Sequence, residues 1–303
     1  MKQKDPFELY NSCILCGKKC GADRNKSEHG YCGLSSRLKI SSILPHHGEE
    51  PIFSGHRGSG TIFFSGCNLQ CIFCQNHQIS HGQRGSYETS GSFLHRAKLL
   101  LEMGVHNLNF VSPTPYIPYI IELVKALHEK KMHPITVYNT GGYDNPEIVP
   151  VIDPYIDVYM PDAKYSYNEL GEKLSGAENY ADINKAFLIK IFETKGSLVI
   201  EKGIIKKGIC IRHLVLPGYT QNSIDIIDFI ADNFGSSVYL SLMSQYSPQY
   251  EAYRDKNINR CLSFREYDRV VDRAVKRGLD NAFIQQLSSR REYLPDFEKD
   301  DPF

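Results

Sequence analysis

The chain has 303 residues, 41% of them hydrophobic and 23% charged, with 35 basic residues balanced by 35 acidic ones. That content supplies a sizeable core and argues against wholesale disorder, and zero net charge without a long basic run gives no sign of a nucleic-acid partner. The length suits a single α/β barrel as one domain.

The opening Met1-Lys-Gln-Lys-Asp-Pro6 lacks the apolar core of a secretory signal, and no apolar run is long enough to span a bilayer. The expectation is a cytoplasmic protein with no membrane partner. Nine cysteines in such a chain point to metal ligation in a reducing compartment rather than to disulfides. Seven of the nine lie within the first 74 residues.

In chain order, the first set is Cys13, Cys16, Cys20 and Cys32, spaced C-x2-C-x3-C-x11-C in a glycine- and lysine-rich stretch with little periodicity. The stretch has too few apolar residues to build its own core, so a bound metal would supply folding free energy. Four thiolates make a closed site, and the irregular spacing leaves zinc and a second iron–sulfur cluster both open. His29 is an alternative ligand, and unliganded surface thiols are the bland alternative. Residues 1–50 therefore read as an N-terminal cysteine-rich metal-binding segment, and residues 51–303 as the main domain with a C-terminal extension. The run His46-His47-Gly48-Glu49-Glu50-Pro51 reads as a solvated loop leading into that domain, with no chemistry assigned.

Next, the apolar run Thr61-Ile-Phe-Phe-Ser-Gly66 predicts a strand, and Cys67, Cys71 and Cys74 follow it as C-x3-C-x2-C. Soft, closely spaced thiolates suit an iron–sulfur cluster or zinc. Structural metal sites are normally closed by four ligands, so three leave one position open for chemistry. The alternative is a structural zinc knuckle with a remote fourth ligand.

Beyond the triad, strands and helices alternate. Ser92 is the expected cap of a helix carrying Phe93, Ala97, Leu100 and Leu101, stopped at Gly104. Residues 107–112, 135–140, 156–160, 209–216 and 238–243 read as strands. Ile117, Ile120, Ile121, Val124 and Leu127 share one helical face with Pro118 near its start. Residues 166–193 read as mostly helical, and Ser263-Phe-Arg-Glu266 as a capping box for a last helix ending before Gly278. Cys210 and Cys261 are expected to be buried, inert thiols. This alternation predicts a parallel sheet of right-handed β-α-β units, an α/β fold with the site at the carboxyl ends of the strands. Those ends carry Ser112-Pro-Thr114-Pro115, Asn139-Thr-Gly-Gly142, Asp162-Ala-Lys164, Arg212-His213 and Ser244-Gln245-Tyr246, which together suggest a lined pocket.

C-x3-C with an aromatic before the last cysteine, on the loop after a first strand, resembles the signature of the radical S-adenosylmethionine (SAM) enzymes. Gly60-Thr-Ile-Phe-Phe-Ser-Gly-Cys67 and Cys74-Gln-Asn76 are similar to the branch related to pyruvate formate-lyase activating enzyme. Leu15-Cys16, Cys20-Gly-Ala-Asp-Arg-Asn25 and Gly30-Tyr-Cys32 resemble a largely uncharacterised subfamily of that branch, and the resemblance runs from about residue 13 to about residue 290. Tyr138-Asn-Thr-Gly-Gly142, Met160-Pro-Asp162, Arg212-His-Leu-Val-Leu-Pro217 and Leu242-Met-Ser-Gln-Tyr246 belong to the same likeness. Two departures stand out. Ser112-Pro-Thr-Pro115 replaces the Gly-Gly-Glu-type motif that binds the methionine amino group, and Glu193-Thr-Lys-Gly196 stands where a basic-polar pair before glycine is expected.

The resemblance implies a partial (β/α)6 barrel and a [4Fe-4S] cluster on Cys67, Cys71 and Cys74. It also implies reductive cleavage of SAM to methionine and a 5′-deoxyadenosyl radical that abstracts a hydrogen atom. Phe73 and Asn76 would face the adenine end, and Ser112, Thr114, Asn139, Asp162, Lys164, His213 and Gln245 the rest of SAM. A glycyl-radical enzyme is the implied partner and a flavodoxin or ferredoxin the implied electron donor. Radical modification of another peptide or a small metabolite is the alternative, and a non-enzymatic zinc- or iron-binding scaffold is the alternative of another class.

Overall fold

A computed structural model describes residues 5–26, 29–287, 294–299 and 301–303. The opening residues read above for a signal sequence fall largely outside these. Among the described residues the strands are β1 (Lys39–His46), β2 (Ser59–Phe64), β3 (Ser86–Tyr87), β4 (Leu108–Val111), β5 (Thr136–Thr140), β6 (Val158–Pro161), β7 (Val199–Glu201), β8 (Ile204–Leu214), β9 (Tyr239–Met243) and β10 (Ala282–Ile284). The helices are α1 (Pro51–Ser54), α2 (His77–Ser80), α3 (Ser90–Glu102), α4 (Ile117–Glu129), α5 (Val149–Ile152), α6 (Asn168–Ser175), α7 (Tyr180–Lys195), α8 (Thr220–Asn233) and α9 (Phe264–Lys276).

The sheet runs β10-β9-β8-β6-β5-β4-β2-β1-β3. All pairs from β2 to β10 along this path are parallel. The six expected strands are β2, β4, β5, β6, β8 and β9; the very short β10 extends their parallel order. Burial explains the run of β2, every residue of which is inside. A parallel strand is covered by helices on one face and by the barrel interior on the other, so alternation disappears.

Several expectations change. Helix α3 starts at Ser90, because Thr89 accepts the Ser92 N–H at 3.1 Å and is the cap; Ser92 lies in the first turn. The helical stretch after residue 166 splits into α6 and α7, since Gly176 takes a left-handed φ of 60° and ends α6. The fifth parallel strand starts earlier than expected, because the hairpin β7–β8 turns at Lys202-Gly203, both with positive φ. Capping of α9 is as read: Ser263 and Glu266 bond reciprocally. Cys210 is buried, but Cys261 is exposed in the loop before α9.

The N-terminal segment is not self-sufficient. Tyr10, Leu15, Leu34 and Leu38 are buried in the same apolar cluster as Phe64, Phe110, Tyr116 and Ile120 of the barrel. The segment borrows the barrel's core instead of building one. Strand β1, read as part of residues 1–50, pairs antiparallel with β2 and belongs to the barrel sheet. From β1 the chain passes His46–Glu50 into α1, where Ile52 and Phe53 pack against Val137, Val158 and Ile205 at the amino ends of the strands. That plug closes the barrel floor and leaves the carboxyl ends for chemistry.

Candidate active site

Strand β2 delivers the triad loop, which is pinned from several sides. Gln70 and Ile72 N–H donate to the Ser175 and Leu174 carbonyls at 2.9 and 3.0 Å, and Glu251 N–H donates to Ile72 O at 2.8 Å. Asn68 Nδ2 donates to Tyr143 O at 2.9 Å. Leu69 lies 2.6 Å from where a Cβ on Gly141 would stand, and a Cβ on Gly142 would meet Asp162 O at 2.1 Å. The Gly141-Gly142 pair is therefore the space into which this loop and the next strand end pack.

Each thiol has a polar neighbour. Ser175 Oγ donates to Cys71 Sγ at 2.9 Å, Cys74 Sγ and Ser80 Oγ share a 3.1 Å hydrogen bond, and Leu69 N–H reaches Cys67 Sγ at 3.4 Å. Burial pushes the Cys67 thiol up to about 12 and the Cys74 thiol up to about 11, with the neighbouring Cys71 adding to both. Metal-free, these groups are thiols at neutral pH; a metal centre converts them to thiolates and is bound with proton release. All nine cysteines are free, and no three His, Cys, Asp or Glu side chains among the described residues are gathered to hold a single metal ion. The three thiols all line one cavity, and three soft thiolates with a position left open are the donor set an iron–sulfur cluster takes.

The triad lines a cavity of about 730 Å³. Of the residues expected around SAM, Phe73, Asn76, Ser112, Asn139, Asp162, Lys164 and Gln245 line this cavity with the cysteines. Ser112 has φ +57°, an uncommon value for a non-glycine residue, at the carboxyl end of β4. Lys164 forms an ion pair with Asp162. Burial works against its charge, but the Asp162 carboxylate outweighs it and the lysine stays cationic.

Two expected residues lie elsewhere. Thr114 is buried and donates to Asp144 Oδ1 at 2.7 Å; Asp144 also accepts from Tyr138 at 2.8 Å and from Thr140. Its hydroxyl is committed to holding the turn after β5. His213 follows the inward-pointing Arg212 and so points out of the barrel, as strand alternation requires. It is fully buried, with Nδ1 2.6 Å from Ala163 O and Nε2 2.8 Å from Ser223 Oγ. The carbonyl only accepts, which puts the proton on Nδ1. Burial pushes its pKa down to about 4.

The cavity also has a wall that sequence reasoning missed. Glu49 and Glu50, read as a solvated loop, have side chains only 7% and 4% exposed and form ion pairs with Arg212. Arg212 Nε and Nη2 donate to the Glu50 carboxylate at 2.8 and 2.6 Å, and Nη2 also donates to Glu49. Asn109 Nδ2 completes Glu49 at 2.8 Å. Arg212 points into the barrel near the carboxyl end of β8, and the buried charge draws both carboxylates to it. Burial raises the Glu50 carboxyl, but Arg212 more than reverses this and holds it below the usual range.

A parallel barrel with a three-thiolate loop at the carboxyl end of its first parallel strand defines an enzyme that keeps an iron–sulfur cluster open to a cavity. Residues 61–230 match the Radical SAM superfamily, and the chain belongs to that superfamily. Its members use a [4Fe-4S] cluster and SAM, and the thiols and cavity described here fit that pair. Two uncharacterized proteins of Methanocaldococcus jannaschii are similar to it. One is 31% identical over 279 residues, covering 90% of this chain and 77% of the relative. The other is 22% identical over 260 residues, covering 79% and 71%. Among solved structures, Streptococcus suis SuiB bound to precursor peptide SuiA shares the fold with a TM-score of 0.51 at 18% identity. That match covers 76% of this chain and 49% of SuiB, so the chain spans about half the length of that protein. No helix among the described residues is long and apolar enough to cross a membrane.

Proposed function

We propose that this radical SAM enzyme is an activating enzyme, directing hydrogen-atom abstraction at a glycine of a partner polypeptide. The observation that carries the reading is the placement of the three triad thiols at one end of a cavity that the sheet does not close, since β10 and the β1–β3 pair end it on opposite sides. Such an opening suits entry of a polypeptide loop, and SuiB, which shares this fold over about half its length, is bound to a precursor peptide.

Cys67, Cys71 and Cys74 would hold the cluster. When bound, the cluster and SAM supply one-electron cleavage of the sulfonium to methionine and a 5′-deoxyadenosyl radical. The chain's own groups bind, orient and exclude water. The Asn139 and Gln245 amides offer hydrogen bonds to the polar parts of SAM, and the cationic Lys164 sits among the thiols where anionic groups would gather. Phe73, packed 5.9 Å from the Tyr246 ring, offers an apolar face to the adenine end near Asn76. A flavodoxin- or ferredoxin-type donor would supply the electron.

A second reading, modification of a small metabolite, is favoured by the charged wall of Glu49, Glu50 and Arg212. It is favoured too by the C-terminal residues Phe297 and Phe303, which pack 5.3 and 5.5 Å from Phe63 along the β1–β2 side of the opening. One experiment separates the two. Reduced enzyme and SAM are incubated with candidate glycyl-radical partners, and electron paramagnetic resonance spectra are recorded alongside 5′-deoxyadenosine release. A glycyl doublet supports activation; turnover with a metabolite and no doublet overturns it.

A further inference from the structure

The four N-terminal cysteines do not line the catalytic cavity, yet the fold brings them together. Cys32 lies within electrostatic reach of Cys13, Cys16 and Cys20. The Cys20 and Cys32 sulfurs flank Gly30, 3.5 and 3.4 Å from where its Cβ would stand. Beside them is Arg24, 1% exposed and among the largest fully buried side chains of the described residues. Its guanidinium donates to Ser35 O at 3.2 and 2.7 Å and to Pro115 O at 2.9 Å, reaches Cys13 Sγ at 4.0 Å, and lies over the Tyr10 ring at 4.2 Å. Among the described residues no carboxylate pairs with it. A buried charge needs a countercharge, and the cysteines are the groups there able to provide one, as metal-bound thiolates.

The position of the set bears on which metal: two hydrogen-bonded bridges join this segment to the triad loop, and a cluster beside a redox centre can pass electrons where zinc, which has no redox chemistry, cannot. Tyr143 O accepts from Gly17 N–H, next to Cys16, at 3.0 Å, and from Asn68 Nδ2, next to Cys67, at 2.9 Å. Tyr31 OH donates to Gly176 O at 2.9 Å, and the adjacent Ser175 donates to Cys71 Sγ.

We propose that Cys13, Cys16, Cys20 and Cys32 hold a second, closed iron–sulfur cluster, balanced by Arg24, which relays single electrons to the triad's cluster across the Tyr143 and Gly176 bridges. A low-potential one-electron donor is oxidised as the N-terminal cluster is reduced. That cluster is reoxidised as the triad's cluster is reduced, and no bond or proton changes hands. The inference rests on the triad holding its family's cluster.

The test uses the full chain, reconstituted anaerobically with iron and sulfide. The variant Cys67→Ala/Cys71→Ala/Cys74→Ala should keep about half the wild-type iron and acid-labile sulfide. Zinc in their place, or a folded, metal-free variant, overturns the second cluster. Dithionite-reduced wild type should show a resonance broadened by coupling between two clusters, collapsing to a simple signal when either set is removed; uncoupled signals overturn the relay. In Arg24→Met the N-terminal iron should be chelated about 10–100-fold more readily, with Arg24→Lys closer to wild type. Equal chelation in both variants and wild type overturns the role of Arg24. Iron surviving in Cys13→Ser/Cys16→Ser/Cys20→Ser/Cys32→Ser supports the triad assignment, and its absence overturns that assignment separately.

Discussion

The two cysteine regions make an instructive pair. In the triad loop three thiols fall within eight residues, each beside a hydroxyl or amide, and all face the cavity. In the N-terminal segment four thiols are spread over a longer stretch, away from the cavity and against a buried arginine. Cysteine count alone does not say which set faces the cavity. What separates them is anchorage: β2 carries the triad to the open end of the barrel, whereas the N-terminal segment is sewn onto its outer core by Tyr10, Leu15, Leu34 and Leu38. Arginine environment differs too. Arg212 has two carboxylate partners and Arg24 has none among the described residues.

The largest effect should follow from breaking the triad. Cys71→Ala should abolish 5′-deoxyadenosine formation, a loss well beyond the about 10–100-fold typical of outer partners. Undiminished cleavage by Cys67→Ala, Cys71→Ala and Cys74→Ala alike would end the assignment.

The arginine contrast can be sharpened in metal-free protein. Arg212→Met strands two buried carboxylates and should cost about 3–5 kcal/mol in urea unfolding. Arg24→Met strands no charge there and should cost less; equal losses would refute the contrast. The Arg212 variant should also respond differently to acid. With its folded pKa held below the ordinary 4.5, Glu50 stabilises the wild type above that value, and the contribution is lost as pH falls through the folded pKa. Stranded without Arg212, the Glu50 carboxyl is pushed the other way by burial. The deficit of the variant should therefore shrink on acidification.

His213 gives a comparable effect in another window. Its folded pKa of about 4 lies below the ordinary 6.5, so the unfolded chain binds the proton first. Stability is complete above pH 6.5 and falls as pH drops toward 4, by roughly 3 kcal/mol. His213→Gln should flatten that part of the stability curve, and an unchanged slope would contradict the buried neutral imidazole.

The smallest effect tests how the triad loop is tuned. Ser175→Ala removes the hydroxyl bond to Cys71 and should leave the iron in place while lowering the cluster's potential. SAM cleavage should slow by about 10-fold. A potential identical to wild type in redox titration would show that this hydrogen bond is absent from the loaded enzyme.

Local spacing determined the triad, the alternation of strands and helices, and the polar strand ends at Asn139, Asp162 and Gln245. A few dihedrals suffice to put three thiols on one loop, and the hydrophobic period reports each element without reference to its neighbours. Tertiary structure decided the rest. Arg212 meets Glu49 across 163 positions of sequence, and a pair so distant leaves no local signal. Thr114 and His213 read as site residues because they are polar and near strand ends. Packing turned one toward Asp144 and strand alternation turned the other toward Ser223, because a buried polar group goes where its hydrogen bond is. Tyr143 carries no motif at all. Its carbonyl joins the two cysteine regions only because the barrel brings Gly17 and Asn68 to opposite sides of one turn.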